Sequence, residues 1–306
     1  MSTIRHPTRR AILGGLAAAG LVRPVAAAPS PLLTRPVPSS DEALPLVGLG
    51  SWITFNVGED PVLRAECTAV MRAFFANGGR MIDSSPMYGS SQSVIGNGLK
   101  ELGMPAALFS ADKVWTSDGD GGAEQIAESE RRWGVGRFDL LQVHNLVAWQ
   151  AHLETLFAMK AADGLGYVGI TTSHGRRHRE FEAIMAAAPL DFVQVTYNIV
   201  DRAVEARILP LAAERGIAVI VNRPFRGGAL TEALEGAPLP PFAADLGCTH
   251  WAQLLLKFIV SHPAVNTAIP ATTRVDHVTE NMGASSGPLP DAAMREAIVA
   301  AAEAAL

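Results

Sequence analysis

Eight short apolar runs, separated by stretches with helical composition, constrain the fold of this chain more than any other feature of its sequence. The runs cover residues 46–49, 81–83, 107–110, 138–143, 167–170, 192–195, 218–221 and 266–269. The connecting segments, such as 62–77, 124–133, 151–162 and 251–261, are rich in alanine, leucine and glutamate at helical spacing. Eight strands that are each followed by a helix predict an α/β protein with a (β/α)8 TIM barrel. No GxGxxG motif follows the first run, which disfavours a doubly wound dinucleotide-binding sheet.

The composition agrees with one large globular domain. Hydrophobic residues make up 48% of the chain and charged residues 18%, which is enough apolar material for a barrel core and is untypical of disorder. The formal net charge is -5, and basic residues do not form a stripe interleaved with aromatic ones. We therefore expect no nucleic-acid partner.

The N-terminal segment predicts export. Arg9 and Arg10 precede an apolar, alanine-rich run over 11–22, and small residues follow at 25–28. The apolar run is well short of the ~20 residues needed to cross a bilayer. We interpret residues 1–28 as a twin-arginine signal peptide and residues 29–306 as the barrel domain, with a short amphipathic helix or a membrane anchor as alternatives. This interpretation predicts a folded, cofactor-loaded protein delivered to the periplasm by the twin-arginine export machinery, with no stable membrane span after processing.

The sequence contains two cysteines, Cys67 and Cys248, and neither has a second cysteine or a histidine at metal-ligand spacing. We interpret them as free, buried thiols, while an oxidising compartment leaves one disulfide as the alternative. His174 and His178 lie four residues apart, but the intervening Gly-Arg-Arg is typical of a solvated helix start rather than a zinc site. No metal is expected.

Four polar residues fall where consecutive strands are predicted to end. Asp83 closes the second run, Tyr88 lies in the loop that follows, Lys113 comes after the third run, and His144 comes after the fourth. Each residue alone has an ordinary explanation, as a turn cap, a loop aromatic, a solvated lysine or a core histidine. Because the C-terminal ends of barrel strands meet on one face and carry the catalytic groups, their joint placement indicates an active site.

The residue types in this set suit proton delivery to an oxygen that gains negative charge. A free tyrosine has a pKa of about 10, so we expect the cationic Lys113 to lower the pKa of Tyr88. A buried lysine requires a counter-ion, and Asp83 is placed to supply it. His144 would then polarise a carbonyl oxygen through a hydrogen bond.

The stretch 82–90, Ile-Asp-Ser-Ser-Pro-Met-Tyr-Gly-Ser, resembles the aldo-keto reductase signature. The stretch 137–144 is similar to the family's fourth strand with its histidine, and 269–272 followed by Glu280-Asn281 is similar to its motif for the adenosine end of the cofactor. The resemblance covers roughly residues 44–281. It implies that Asp83, Tyr88, Lys113 and His144 form a catalytic tetrad, that a nicotinamide supplies hydride, and that the substrate is a small carbonyl compound.

The resemblance also implies a set of cofactor-binding residues. At the nicotinamide end these are Gly50, Ser51, Trp52, Thr171, Thr172, Gln194, Asn222 and Arg223, and at the adenosine end Thr272, Arg274, Glu280 and Asn281. The family's usual Ser-Asn pair is Thr171-Thr172 here, and Asn222 stands where an aromatic ring commonly stacks on the nicotinamide. Arg274 is the available cation for a 2'-phosphate, so NADP is favoured over NAD.

These features together predict an oxidoreductase acting on an aldehyde, a ketone or a sugar. Two alternatives stay open, because an exported enzyme is cut off from the cytoplasmic supply of reduced cofactor. One is a nicotinamide-binding module with little turnover. The other is an enzyme that recycles a tightly held cofactor between two substrates.

Overall fold

The computed structural model describes residues 32–306. The predicted signal peptide therefore lies outside the described residues. The strands are β1 Thr34–Pro36, β2 Ala43–Pro45, β3 Leu49–Gly50, β4 Met81–Asp83, β5 Phe109–Val114, β6 Leu140–Val143, β7 Tyr167–Thr171, β8 Phe192–Thr196, β9 Ala218–Asn222 and β10 Thr267–Ala268. The helices are α1 Pro61–Ala76, α2 Ser91–Glu101, α3 Gly122–Trp133, α4 Trp149–Ala161, α5 His178–Ala187, α6 Ile208–Arg215, α7 Ala229–Ala233, α8 Trp251–Val260, α9 Val275–Gly283 and α10 Ala292–Ala305.

Strands β3 to β10 pair in parallel in chain order and form the barrel wall. Parallel bridges from Val47 to Ala268 and from Gly50 to Ala271 join the first strand to the last. The backbone N–H of Gly48 donates to Ala268 O at 2.8 Å across this seam. A Cβ at Gly50 would stand 2.7 Å from Ile269 O, so the close approach requires glycine there. The (β/α)8 barrel expected from the eight runs is confirmed.

The strand register decides which side chains enter the barrel. Asp83 pairs with Ala111 across β4 and β5. Ala111 belongs to the apolar cluster inside the barrel. Because side chains alternate along a strand, Lys113 points inward like Ala111, while Asp112 points outward to Gln92 on α2, whose amide donates to it at 2.9 Å.

Two apolar layers stabilise the barrel. The larger layer lies between the strands and the surrounding helices. The smaller one fills the interior with side chains from five barrel strands, including Met81, Phe109 and Phe192. Val37 and Leu44, from the antiparallel β1–β2 hairpin, are fully buried against it, so the hairpin closes one end of the barrel. This hairpin could not be predicted from the sequence, because its three-residue strands carry too little pattern.

Segment 231–248, which contains five prolines and glycines, is largely packed in the structure. It begins inside α7 and contains a 3-10 turn at Pro241–Ala243. Leu234, Leu246 and Cys248 are buried in the core. Cys248 and Cys67 are both free, and burial raises the pKa of each thiol to about 11. Within residues 32–306, no helix is long and apolar enough to cross a membrane.

Candidate active site

The base of the site is an ion pair between Asp83 and Lys113 inside the barrel. Lys113 Nζ lies 2.5 Å from Asp83 Oδ2 and also donates to Ser84 O at 2.6 Å. The amide of Gln194 donates to Asp83 Oδ1 at 2.8 Å. Burial alone would lower the pKa of Lys113, but the neighbouring Asp83 and Tyr88 reverse this, and the net direction is upward. The lysine therefore stays charged although its side chain is fully buried.

Tyr88 is presented above this pair by a short 3-10 turn, Pro86–Tyr88. Ser85 caps the turn by accepting a hydrogen bond from Met87 N at 3.2 Å, and Pro86 occupies the first position, where no backbone donor is needed. The turn ends at Gly89 with a φ of 62°. Lys113 Nζ lies 5.2 Å from the centre of the Tyr88 ring. The sequence thus places the phenol directly over the buried cation.

The net shift of the Tyr88 pKa is upward, so the expectation of a lowered pKa is wrong. Burial raises the pKa of the phenol, and the Lys113 charge acts in the opposite direction without offsetting it. Sequence reasoning identified the lysine but could not weigh the burial. A phenol that stays protonated at neutral pH suits a proton donor.

His144 follows β6 and faces Tyr88 edge to face, with ring centres 5.6 Å apart and an interplanar angle of 86°. Burial, and then the Lys113 charge, lower the pKa of His144 to about 2, so the imidazole is neutral. Its Nδ1 lies 2.7 Å from Ser85 Oγ. A sharp turn follows, in which Asn145 and Leu146 both have positive φ. Such backbone strain in residues other than glycine is typical of functional sites.

All four predicted catalytic residues therefore meet at the C-terminal ends of β4, β5 and β6. Asp83, Tyr88 and His144 line a cavity of about 990 Å³, and Lys113 lies beneath it. A cluster of three or more histidine, cysteine, aspartate or glutamate residues that could hold a metal ion does not occur in the described part of the chain.

The same cavity extends from the predicted catalytic residues to α9. Thr172 does not line it, and its hydroxyl instead donates to Arg176 O at 2.5 Å. The other residues predicted to bind cofactor all line it: Gly50, Ser51, Trp52, Thr171, Gln194, Asn222, Arg223, Thr272, Arg274, Glu280 and Asn281.

At the nicotinamide end, Asn222 is bonded into the barrel rim. Its Oδ1 accepts from Thr196 Oγ1 at 2.6 Å, and its Nδ2 donates to Thr172 O at 3.0 Å. The guanidinium of Arg223 lies 6.0 Å from the centre of the Trp52 ring, within the range of a cation–π contact. Trp52 therefore supplies an aromatic ring on this wall of the cavity, where position 222 is an asparagine.

At the adenosine end, sequence reasoning missed a carboxylate beside the predicted cation. Arg274 Nε donates to Asp276 Oδ1 at 3.0 Å, and its Nη2 forms a second bond to the same carboxylate. The pair is exposed. The Arg274 charge and hydrogen bonds hold the pKa of Asp276 far below its usual range. A 2'-phosphate would therefore compete with Asp276 for Arg274.

The chain matches a known protein family. The model of the aldo/keto reductase family matches residues 46–298, which includes every barrel strand and all four predicted catalytic positions. The chain belongs to the aldo/keto reductase family. The resemblance stated from the 82–90 signature is confirmed.

Known proteins and solved structures match most of the chain at 22–28% sequence identity. Methylglyoxal reductase YeaE of Escherichia coli is 28% identical over 252 residues, which is 79% of this chain and 86% of the relative. An NADH-specific methylglyoxal reductase of the same organism is 23% identical, covering 84% of this chain and 94% of the relative. An aldo/keto reductase structure from Klebsiella pneumoniae, in complex with NADP and acetate, superposes with a TM-score of 0.71 at 22% identity, covering 84% of this chain and 91% of that one.

Proposed function

We propose that this aldo-keto reductase family member is an NAD(P)-dependent carbonyl reductase in which Tyr88 is the proton donor. The observation that carries the proposal is the vertical arrangement of the site: a buried Asp83–Lys113 ion pair lies under the phenol, and a neutral His144 faces the phenol across the cavity. This arrangement combines a proton donor with a hydrogen-bond donor for one oxygen atom. Its substrate class is an aldehyde, a ketone or a sugar carbonyl.

The residues around the cavity fit a nicotinamide cofactor. Gln194 and Asn222 line the cavity with amide side chains, Arg223 offers a cation near Trp52, and Arg274 offers another at the far end. The cavity of about 990 Å³ lies at the upper end of the range of about 300–1,000 Å³ that is usual for ligand pockets, so it has room for a large ligand. A bound nicotinamide supplies the hydride.

The protein side of the reaction is a proton transfer with charge stabilisation. The substrate oxygen would lie between the Tyr88 hydroxyl and the His144 imidazole and accept a hydrogen bond from each. As negative charge develops on that oxygen, Tyr88 donates its proton, and Lys113 stabilises the phenolate that remains. Asp83 keeps Lys113 charged and in place. In the oxidation direction the same groups act in reverse.

A direct assay tests the proposal. Purified protein is mixed with NADPH or NADH and a panel of aldehydes, ketones and sugars, and the loss of reduced cofactor is followed by absorbance. We expect turnover with at least one small carbonyl. Cofactor that stays bound through gel filtration, with no turnover on any carbonyl or alcohol, would instead support a nicotinamide-binding module.

At the adenosine end, Arg274 favours NADP over NAD. Its ion pair with Asp276 weakens that preference. We expect Asp276→Asn to tighten NADPH binding about two- to fivefold, because it frees Arg274 from an exposed ion pair of small net value. NADH, which lacks the 2'-phosphate, should bind equally to both proteins. The measurement is fluorescence titration of each cofactor, and Asp245→Asn is the matched control. An equal change for both cofactors would contradict a role at the 2'-phosphate.

We propose that the mature protein is periplasmic and is exported by the twin-arginine machinery after cofactor loading. The support is the Arg9-Arg10 pair with its apolar run. Mass spectrometry of the protein isolated from its native cell should find an N-terminus near Ala28 or Pro29. Replacing both arginines by lysine should leave an unprocessed precursor in the cytoplasm. A soluble cytoplasmic protein that keeps Met1 in the wild type would contradict export.

A further inference from the structure

Ser85 connects the turn that carries Tyr88 to the imidazole of His144. It is fully buried. Its Oγ accepts a hydrogen bond from Met87 N at 3.2 Å and lies 2.7 Å from His144 Nδ1. One hydroxyl group therefore contacts both the backbone that positions the proton donor and the ring that faces it.

Proton counting at this hydroxyl selects one tautomer of the imidazole. A serine hydroxyl has one proton to donate. Within residues 32–306, His144 Nδ1 is the acceptor that the structure places within hydrogen-bond distance of Ser85 Oγ. If Nδ1 carried the proton, it would donate to Ser85, and the Ser85 proton would be buried without an acceptor, which is unfavourable. The favourable arrangement has Ser85 donating to Nδ1.

We propose that Ser85 is a positioning residue that fixes His144 as the tautomer protonated on Nε2. The inference rests on the proposed carbonyl reduction, because only that reaction requires a donor at His144. With Nδ1 occupied by Ser85, Nε2–H is the group that the ring can offer to a substrate oxygen. The opposite tautomer would turn a lone pair toward that oxygen and repel it.

The surroundings of the His144 ring keep the imidazole neutral. The lowered pKa of His144 means that the ring carries a single proton across the physiological pH range. The charge that acts on the ring is that of Lys113, which disfavours a second proton and is itself paired with Asp83. The position of the single proton is then decided by hydrogen bonding at Nδ1.

The neighbouring Ser84 shows that burial of a serine hydroxyl in this loop does not by itself create such a contact. Its side-chain oxygen is buried and has no hydrogen-bond partner in the described structure, whereas its carbonyl oxygen accepts from Lys113 and its backbone N–H donates to Ala111 O. The two adjacent serines thus have separate tasks. The backbone at position 84 holds the lysine, and the side chain at position 85 holds the histidine.

The tautomer of His144 can be measured in the mature protein without any turnover. Two-bond ¹H–¹⁵N spectra of protein labelled in its histidines distinguish a protonated ring nitrogen from an unprotonated one, and His144→Asn assigns the signal. We expect wild-type His144 to be protonated at Nε2 over the whole neutral range. In Ser85→Ala, which removes the donor and adds no bulk, a Nδ1-protonated population should appear. Ser85→Thr should restore the wild-type spectrum because it restores the hydroxyl.

Kinetics provide the second measurement. We expect Ser85→Ala to lower kcat roughly tenfold to a hundredfold, because a misplaced proton removes one hydrogen-bond donor from the charged transition state. The dissociation constant of the cofactor should stay within about twofold. Ser285→Ala is the matched control, since Ser285 is also fully buried and its hydroxyl has no partner in the described part of the chain. It should leave kcat unchanged.

Three results would overturn the inference. They are a wild-type His144 protonated at Nδ1, a Ser85→Ala protein whose tautomer and kcat both match the wild type, and a Ser85→Ala defect that Ser285→Ala reproduces. Failure of the proposed function would look different. In that case no carbonyl would be turned over by the wild type, and the spectra would still decide the tautomer.

Discussion

Replacing Tyr88 by phenylalanine is expected to lower kcat for carbonyl reduction by about 10²- to 10⁴-fold, the range for loss of a positioned proton donor. The substitution keeps the ring that contacts His144 and covers Lys113. It removes only the hydroxyl. The dissociation constant of the reduced cofactor should therefore stay within about twofold, since the cofactor-facing residues are untouched.

Tyr167→Phe is the matched control for this experiment. Tyr167 begins β7 at the opposite end of the barrel, where its hydroxyl lies 2.9 Å from Glu42 Oε2 and 2.6 Å from Ser40 Oγ. Its loss should leave kcat unchanged. A Tyr88→Phe protein that kept more than a tenth of the wild-type kcat would show that another group delivers the proton.

The pH dependence of the wild type follows from the raised pKa of Tyr88. A proton donor is active in its protonated form, so reduction should be level through neutral pH and fall only as the pH rises through the phenol pKa, above its usual value of about 10. Oxidation of the alcohol requires the phenolate and should rise over the same alkaline range. His144, with a pKa of about 2, adds no step near neutrality.

The sequence predicted the barrel well because its evidence was local and repeated. Each of the eight apolar runs overlaps a strand. The strand that overlaps the third run, β5, extends to Val114, which places Lys113 inside the barrel. Strand ends in a parallel barrel converge on one face whatever the details of packing. The positions of Asp83, Tyr88 and His144 could therefore be predicted without knowing any contact between them.

Other features depend on side-chain packing and conformation and could not be predicted in this way. The direction of the Tyr88 pKa depends on how much burial opposes one lysine, and the sequence shows only the lysine. The competition of Asp276 for Arg274 depends on the turn that precedes α9. The contact of Ser85 could not be predicted because a serine two residues after a signature aspartate has many uses, and its partner His144 lies 59 positions away.

Breaking the Asp83–Lys113 pair is expected to produce the largest loss of stability. Asp83→Asn leaves a fully buried ammonium without a counter-ion, and such single truncations of a buried pair cost about 3–5 kcal/mol in the free energy of unfolding. Lys113→Met should be similarly costly, because it leaves the Asp83 carboxylate with neutral donors such as Gln194. The free energies are measured by urea unfolding of the purified proteins.

The double variant separates stability from chemistry. Asp83→Asn with Lys113→Met removes both charges and should recover most of the lost stability, because the desolvation of two ions is no longer required. It should not recover activity, since no cation remains below Tyr88. Arg72→Met, which breaks an exposed pair with Glu101, serves as the control and should change the free energy of unfolding by less than about 1 kcal/mol. Additive losses in the double variant would contradict direct coupling of the two buried charges, whereas recovery of folding without turnover would show that this ion pair is retained for the proton transfer at Tyr88.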